Sequence, residues 1–178
     1  MKISYLPAAM LLVSATLWAA PPADVQAQVD KEKAALVYLS TDPTVVAEVK
    51  AANATPAPEG KDMTNDKWKD LTVVSPEVKA FSKNKLATYI KSKKPAEVSE
   101  VFVNAADGTK VAFLSKTSSW THKGKPKHDN AMANKAWTGD VEVDESTGKK
   151  QVQFSIPVLD GGKPIGSIVI GISLADMK

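Results

Sequence analysis

The sequence contains no cysteine, and this absence limits how the chain is held together. Without thiols the protein forms no disulfide, binds no metal through thiolates and carries out no cysteine redox chemistry. Its stability must therefore come from the packing of a hydrophobic core, which a chain of this length is long enough to form.

Arginine is also absent, so lysine supplies all 23 basic residues. Lysine lacks the planar fork that captures a carboxylate or phosphate with two parallel hydrogen bonds, so ammonium groups or backbone amides must bind any anionic ligand. The formal net charge is only +3, and the lysines are spread among acids. This pattern argues against nucleic-acid binding and indicates a mostly solvated lysine surface.

Catalytic and metal-binding motifs are missing as well. The sequence has no nucleophile elbow, no glycine-rich phosphate loop after a strand and no carboxylate pair with an obvious acid or base partner. His122 and His128 are six residues apart, which is not the spacing of a helical pair of metal ligands. We therefore expect no enzyme activity, no metal site and no cofactor.

The first 27 residues have the layout of a secretory signal peptide. Lys2 supplies a positive charge, residues 6–20 form an uncharged apolar stretch, and Val25 and Ala27 occupy the two positions that signal peptidase reads. The apolar stretch is shorter than the roughly 20 residues that a membrane-spanning helix needs. We expect cleavage after Ala27, a periplasmic or secreted location, no later membrane insertion, and one domain over residues 28–178.

Helix formers dominate residues 28–95. Apolar spacing and proline positions predict four helices, at residues 30–39, 43–52, 66–71 and 76–93. Thr41 or Asp42 is expected to cap the second helix and Ser75 the last one, since each stands just before a proline at the first helical position. Trp68 lies in the short third helix.

Residues 96–178 are rich in β-branched residues and predict five strands, at 98–104, 110–114, 139–144, 151–159 and 164–174. Turn sequences such as Asp107-Gly108 separate most of them, and the fourth strand alternates apolar with polar residues, so we expect an antiparallel sheet with one buried face. The exception is a long insertion at residues 115–138, after the second strand. It holds both histidines and a predicted helix at 130–136 capped by Asp129.

The ordered strand and turn sequences resemble the single-domain form of the Cache family, an extracytoplasmic sensor domain with a PAS-like fold. The resemblance covers nearly the whole chain after the signal peptide, and it rests on the following stretches: Val101-Phe102-Val103-Asn104, Asp107-Gly108-Thr109-Lys110, Thr117-Ser118, Gly139-Asp140-Val141-Glu142, Ser155-Ile156-Pro157-Val158 and Gly162-Lys163-Pro164-Ile165-Gly166. It implies an α+β fold in which N-terminal helices pack on a roughly five-stranded antiparallel sheet.

The resemblance also implies a small-molecule pocket between the sheet and the insertion. The candidate ligand-binding residues are Trp120, Lys116, Ser118, His122, Trp137 and Asp160. Trp120 and Trp137 either form aromatic walls or hold the insertion on the sheet. Similar chains carry an acid and a phenol after the Thr-Ser pair, where this chain has Ser119 and Trp120, so we expect an anionic ligand such as a small carboxylate.

The expected function is therefore that of an exported ligand-binding domain, either a sensor or a solute-capturing protein. The chain ends at Lys178 without a membrane helix after the last strand, so signalling would need a partner such as a membrane receptor or a histidine kinase. The alternative is an envelope protein that uses a PAS-like fold for structural or protein–protein contacts without a ligand.

Overall fold

The computed structural model describes residues 22–143, 148 and 150–174. The first part of the chain is helical, as predicted. It contains helices α1 (Ala23–Leu36), α2 (Pro43–Ala54), α3 (Asn65–Asp70), α4 (Pro76–Ser82) and α5 (Lys85–Lys93), with 3₁₀ turns at Val37–Ser40 and Pro58–Gly60. Asp42 caps α2, because its carboxylate accepts hydrogen bonds from the backbone N–H groups of Thr44 and Val45 at 2.9 and 3.2 Å.

Helix α1 begins seven residues before the predicted start at residue 30. Its buried side chains include Val25, Val29 and Leu36, whose spacing places them on one face of the helix. The predicted cleavage site after Ala27 falls inside this apolar repeat, between Val25 and Val29. Most of the predicted signal peptide, residues 1–21, lies outside the described residues.

The predicted helix at residues 76–93 is two helices, α4 and α5. Asn84 separates them: its Oδ1 accepts a hydrogen bond from the backbone N–H of Ala87 at 2.8 Å and caps α5, while its Nδ2 donates to the carbonyl of Val111 at 2.8 Å. Asparagine side chains compete with the helical backbone for such bonds, which is why the helix breaks here. Ser75, the predicted cap of α4, instead accepts from the N–H of Thr72.

Five antiparallel strands form a single sheet, which confirms the predicted fold class. They are β1 (Val98–Ala105), β2 (Lys110–Phe113), β3 (Trp137–Val143), β4 (Lys150–Asp160) and β5 (Lys163–Ser173), in the spatial order β2-β1-β5-β4-β3. The predicted turn at Asp107-Gly108 joins β1 to β2, with Gly108 at a φ of 86° that favours glycine. The sequence Ser146-Thr147-Gly148 predicts a further turn before β4, and of these residues Ser146 and Thr147 lie outside the described part of the chain.

Residues 114–136, hereafter the insertion, connect β2 to β3. Its helix α6 spans Pro126–Met132 and not the predicted residues 130–136. Proline at the first helical position begins the helix earlier, and Asp129 does not cap it; the Asp129 side chain accepts from the backbone N–H of Gly124 at 3.1 Å. Trp137 begins β3 and so follows the insertion.

The two faces of the sheet are covered by different parts of the chain. One, the helix-side face, carries apolar residues such as Val101, Ile168 and Ile170 and packs against α1, α2 and α5. The other, the insertion-side face, carries Glu100, Phe102, Asn104, Gln151, Gln153, Ser155, Ser167 and Val169.

Among the described residues, no helix combines the length and the apolar composition that crossing a bilayer requires.

Candidate functional site

The insertion-side face is polar, yet its side chains are buried. Glu100, Asn104, Gln151, Gln153, Ser155 and Ser167 are each no more than 3% exposed, because the insertion lies over them. The insertion contributes buried polar side chains of its own, namely Thr117, His122 and His128. A polar surface of this kind is stable only if its groups find hydrogen-bond partners inside the protein.

A chain of hydrogen bonds satisfies one half of this face and ties both histidines to the sheet. The amine of Lys110 in β2 donates to Asn104 Oδ1 at 2.8 Å and contacts His122 Nδ1. Asn104 Nδ2 donates to Ser167 Oγ at 2.9 Å, and Ser167 Oγ lies 2.8 Å from His128 Nδ1. The insertion is therefore attached to β1, β2 and β5 through polar side chains.

Burial sets the protonation of this cluster. Burial lowers the pKa of His122 well below its usual range, and the neighbouring Lys110 amine lowers it further. Burial likewise lowers the pKa of His128. The pKa of Lys110 is lowered well below its usual value, again by burial, although Glu100 opposes the shift. His122 and His128 are thus neutral at physiological pH, each with a ring nitrogen able to accept a hydrogen bond.

Glu100 organises the other half of the face. Gln153 Nε2 donates to its Oε2 at 2.7 Å, and Gln151 Nε2 approaches the same oxygen at 3.3 Å. The amine of Lys127, from the insertion, in turn donates to Gln153 Oε1. A carboxylate that is 2% exposed would be costly to bury alone, and these two amide hydrogen bonds offset part of the cost.

A cavity of about 250 Å³ opens between the insertion and this half of the sheet. We call it the polar cavity. Its lining residues are Glu100, Phe102, Thr117, Ser118, His122, Lys125, Lys127, Glu142, Val143 and Gln153. The cavity lies where the resemblance implied a pocket. Its volume is just below the range of about 300–1,000 Å³ that is typical of pockets for drug-sized ligands, so it suits a small ligand.

Two of the six predicted site residues, Ser118 and His122, line the polar cavity. Trp120 lies elsewhere. It is 4% exposed and packs against Trp68 and Phe81, with ring centroids 5.3 and 5.0 Å away. These ring contacts hold the insertion against α3 and α4, and Trp120 lines a different cavity from Ser118 and His122.

The other three predicted site residues also lie outside the lining of the polar cavity. The Lys116 amine is 5.1 Å from the centre of the Trp68 ring, and the Lys127 amine is 5.8 Å from that of Trp137. Asp160 ends β4 and forms an ion pair of 2.7 Å with Lys50.

Glu100, Gln153 and Glu142 line the polar cavity but were not predicted from the sequence, and Lys125 and Lys127 line it in place of the predicted Lys116. One signal was present. Glu100 is the one charged residue of β1, and Gln151 and Gln153 alternate with apolar residues in β4. Such alternation is typical of a solvated face, and only the long insertion hinted that this face is covered.

Two solved structures of bacterial sensor domains share the fold of this chain. The sensor domain of the V. cholerae histidine kinase DctB superposes with a TM-score of 0.52 at 14% identity, over 85% of this chain. The E. coli DcuS sensor domain gives 0.51 at 11% identity, over 86% of this chain and 94% of its own length. The chain has a sensor-domain fold.

The predicted Cache-type, PAS-like architecture is thereby confirmed, since both structures share it with this chain at the level of the backbone. This chain spans about half, 51%, of the DctB sensor domain. No protein-family model and no curated protein matches the sequence. The similarity to these sensor domains therefore extends to the fold, whereas the ligand depends on the residues that line the cavity.

Proposed function

We propose that this protein is an exported small-molecule-binding domain, a sensor or a solute-capturing protein, whose ligand is a small carboxylate bound in the polar cavity. The observation that carries the proposal is the polar cavity itself. It lies beneath the insertion of a sensor-domain fold and is lined mainly by polar and charged side chains. Pockets that select a polar ligand do so with a few groups held in place by their surroundings.

The charges around the polar cavity indicate what kind of carboxylate fits. Lys125 and Lys127 come from the insertion, whereas Glu100 and Glu142 come from strands of the sheet. A carboxylate is attracted to the lysines and repelled by the acids. The best ligand therefore has one carboxylate at the insertion and a hydrogen-bond donor or ammonium group toward the sheet, as a small amino or hydroxy acid has.

Lys125, which lines the polar cavity, is the lysine expected to bind the carboxylate; the predicted Lys116 lies outside the lining. The Lys125 amine is held 3.2 Å from Ser119 Oγ, in the same segment as the lining residue Ser118. Lysine makes single-point contacts, so the affinity is expected to be modest and to fall as salt is added.

The test is a thermal-shift screen of the protein against small amino acids, hydroxy acids, dicarboxylates and amines, followed by calorimetric titration of each hit. A ligand at a hundred times its Kd stabilises the fold by about 2.7 kcal/mol. Lys125→Gln should weaken binding about tenfold, as expected for the loss of one charge-assisted hydrogen bond. The matched control is Lys123→Gln, since Lys123 is exposed in the same insertion and does not line the cavity.

Two results would refute the proposal. One is a screen in which no carboxylate raises the melting temperature. The other is a hit whose affinity changes equally in Lys125→Gln and Lys123→Gln, because binding would then depend on surface charge alone.

Export and signalling through a partner receptor or histidine kinase belong to the same proposal. The N-terminal sequence supports export, and mass spectrometry of the periplasmic protein should show a cleaved N-terminus, at Gln28 if cleavage follows Ala27. That cut removes Val25, which is 7% exposed in the core, so a terminus upstream of Ala23 would preserve α1 whole. An intact Met1 in the membrane fraction would contradict export.

A further inference from the structure

A second and larger cavity has a volume of about 820 Å³. Its walls are α2, the segment at residues 55–62 that follows α2, helix α4, and the β1–β2 hairpin. We call it the apolar cavity. It shares no lining residue with the polar cavity. Its volume lies within the range of pockets that enclose small organic ligands, which is about 300–1,000 Å³.

Small side chains leave this space open. Five alanines line it, at positions 51, 52, 57, 80 and 105, where larger apolar residues would have filled the volume with core. Phe81 and Trp120 form an aromatic wall, with ring centroids 5.0 Å apart. An apolar surface in a concave site favours a ligand with an apolar body, because water molecules in the site find few hydrogen-bond partners there.

The charges of the apolar cavity are mostly negative. Glu59, Asp62 and Asp107 line it together with Glu48, whose carboxylate is already paired with Lys85 at 2.7 Å. Of the two lysines in the lining, Lys110 directs its amine to Asn104 and His122 and so away from a ligand. Lys61 is the other. An excess of carboxylates beside an apolar surface complements an organic cation.

We propose that the apolar cavity is a second ligand site and that it takes an organic cation with an apolar body, such as an aralkyl amine. The apolar body lies against the alanines and the Phe81–Trp120 wall, and the ammonium group is directed to the carboxylates of Glu59 and Asp62. The site is separate in position and in chemistry from the polar cavity, whose lysines select a carboxylate.

The test uses 2-phenylethylamine as the probe and 3-phenylpropanoate as a probe of similar size and opposite charge. Both are titrated by calorimetry and by amide chemical shifts in the full protein. The amine should bind, with shifts centred on residues 57–62 and 120, and it should bind about tenfold more tightly than the carboxylate. Binding of the amine should be unchanged in Lys125→Gln, which separates this site from the polar cavity.

A matched pair of variants tests the location. Ala51→Phe places a ring in the apolar cavity from an exposed position on α2, so it should weaken amine binding about tenfold or more. Ala54→Phe adds the same ring at an exposed position of α2 that does not line the cavity, and it should leave binding unchanged. Thermal unfolding of both variants checks that each remains folded.

The proposal is overturned if 2-phenylethylamine does not bind, if 3-phenylpropanoate binds as tightly, or if Ala51→Phe and Ala54→Phe have equal effects. The double variant Glu59→Gln with Asp62→Asn gives an independent test. It should reduce the preference for the amine over the carboxylate, and an unchanged preference would show that these carboxylates do not select the ligand.

Discussion

The two faces of the sheet are almost equally buried, yet they are built from opposite chemistry. The helix-side face consists of aliphatic side chains such as Ile168, Ile170 and Ile172, all 0% exposed. On the insertion-side face Gln151 and Ser167 are also 0% exposed, and they are satisfied by hydrogen bonds to side chains. The helix-side face supplies the aliphatic core, whereas the insertion-side face places buried polar groups around a cavity beside a smaller, aromatic core cluster that includes Phe102 and Val169.

The difference has a physical origin. Apolar contacts have no preferred direction, so the helices can pack on the helix-side face wherever volume is filled. Hydrogen bonds do have directions, so the insertion must sit where Lys110, Asn104 and Ser167 find their partners. We therefore expect the two faces to respond differently to mutation and to pH.

The largest effect is expected on the helix-side face. Ile170→Ala removes a fully buried side chain in the central strand β5 and should lower the free energy of unfolding by about 2–5 kcal/mol. Urea denaturation measures the change. Val143→Ala, at a residue that is 66% exposed, is the control and should change stability by less than about 0.5 kcal/mol. An equal loss of unfolding free energy in Ile170→Ala and Val143→Ala would show that the helix-side face is not the main source of stability.

The response to pH should come from the insertion-side face. The folded pKa of His122 and of His128 is lowered, so the unfolded chain binds protons more readily and stability falls as pH drops below about 6.5. Because His122 stays neutral in the fold throughout this range, lowering the pH from 7 to 5 should reduce the free energy of unfolding by about 2 kcal/mol through His122, and His128 should add a contribution of the same sign.

Urea denaturation at several pH values measures this slope. His122→Gln should make the slope shallower, whereas Ile170→Ala should lower stability at every pH and leave the slope as it is. If His122→Gln has the same slope as the unmodified protein, then His122 is not held neutral by its burial and by Lys110.

The smallest effects distinguish two serines on the insertion-side face. Ser167 bonds to Asn104 and lies against His128, so Ser167→Ala should cost about 1–3 kcal/mol by leaving buried partners unsatisfied. Ser155 is 1% exposed, and its Oγ has no hydrogen-bond partner among the described residues. Ser155→Ala should therefore be neutral or raise stability by up to about 1 kcal/mol. A similar loss of stability in Ser167→Ala and Ser155→Ala would mean that the hydrogen bonds of Ser167 do not stabilise the fold.

Much of the fold could be predicted because its signals are local. Proline and Asp42 mark the start of α2, and alternation in residues 151–159 marks β4. Asn84 was missed because its capping role competes with a strong apolar repeat that runs across it, and its second bond is to Val111 in a strand far along the chain. No local pattern contains that contact.

The candidate site was less predictable. Ser118 and His122 belong to the insertion, whose length already indicated function, and both line the polar cavity. Glu100 and Gln153 are 53 residues apart in sequence and meet only because β5 brings β1 and β4 together. Lys116 and Trp120 were also predicted to belong to the site, but their side chains lie against the Trp68 ring.

The sequence by itself determined the order of helices followed by strands, the antiparallel sheet and the absence of disulfides, since these depend on local periodicity, turn residues and composition. Only the tertiary structure decided that the polar face of the sheet is covered, that His122 shares Lys110 with Asn104, and that Trp120 belongs to the aromatic packing beside the apolar cavity. These features arise from the position in which the insertion folds back, which is set by contacts between residues distant in the chain.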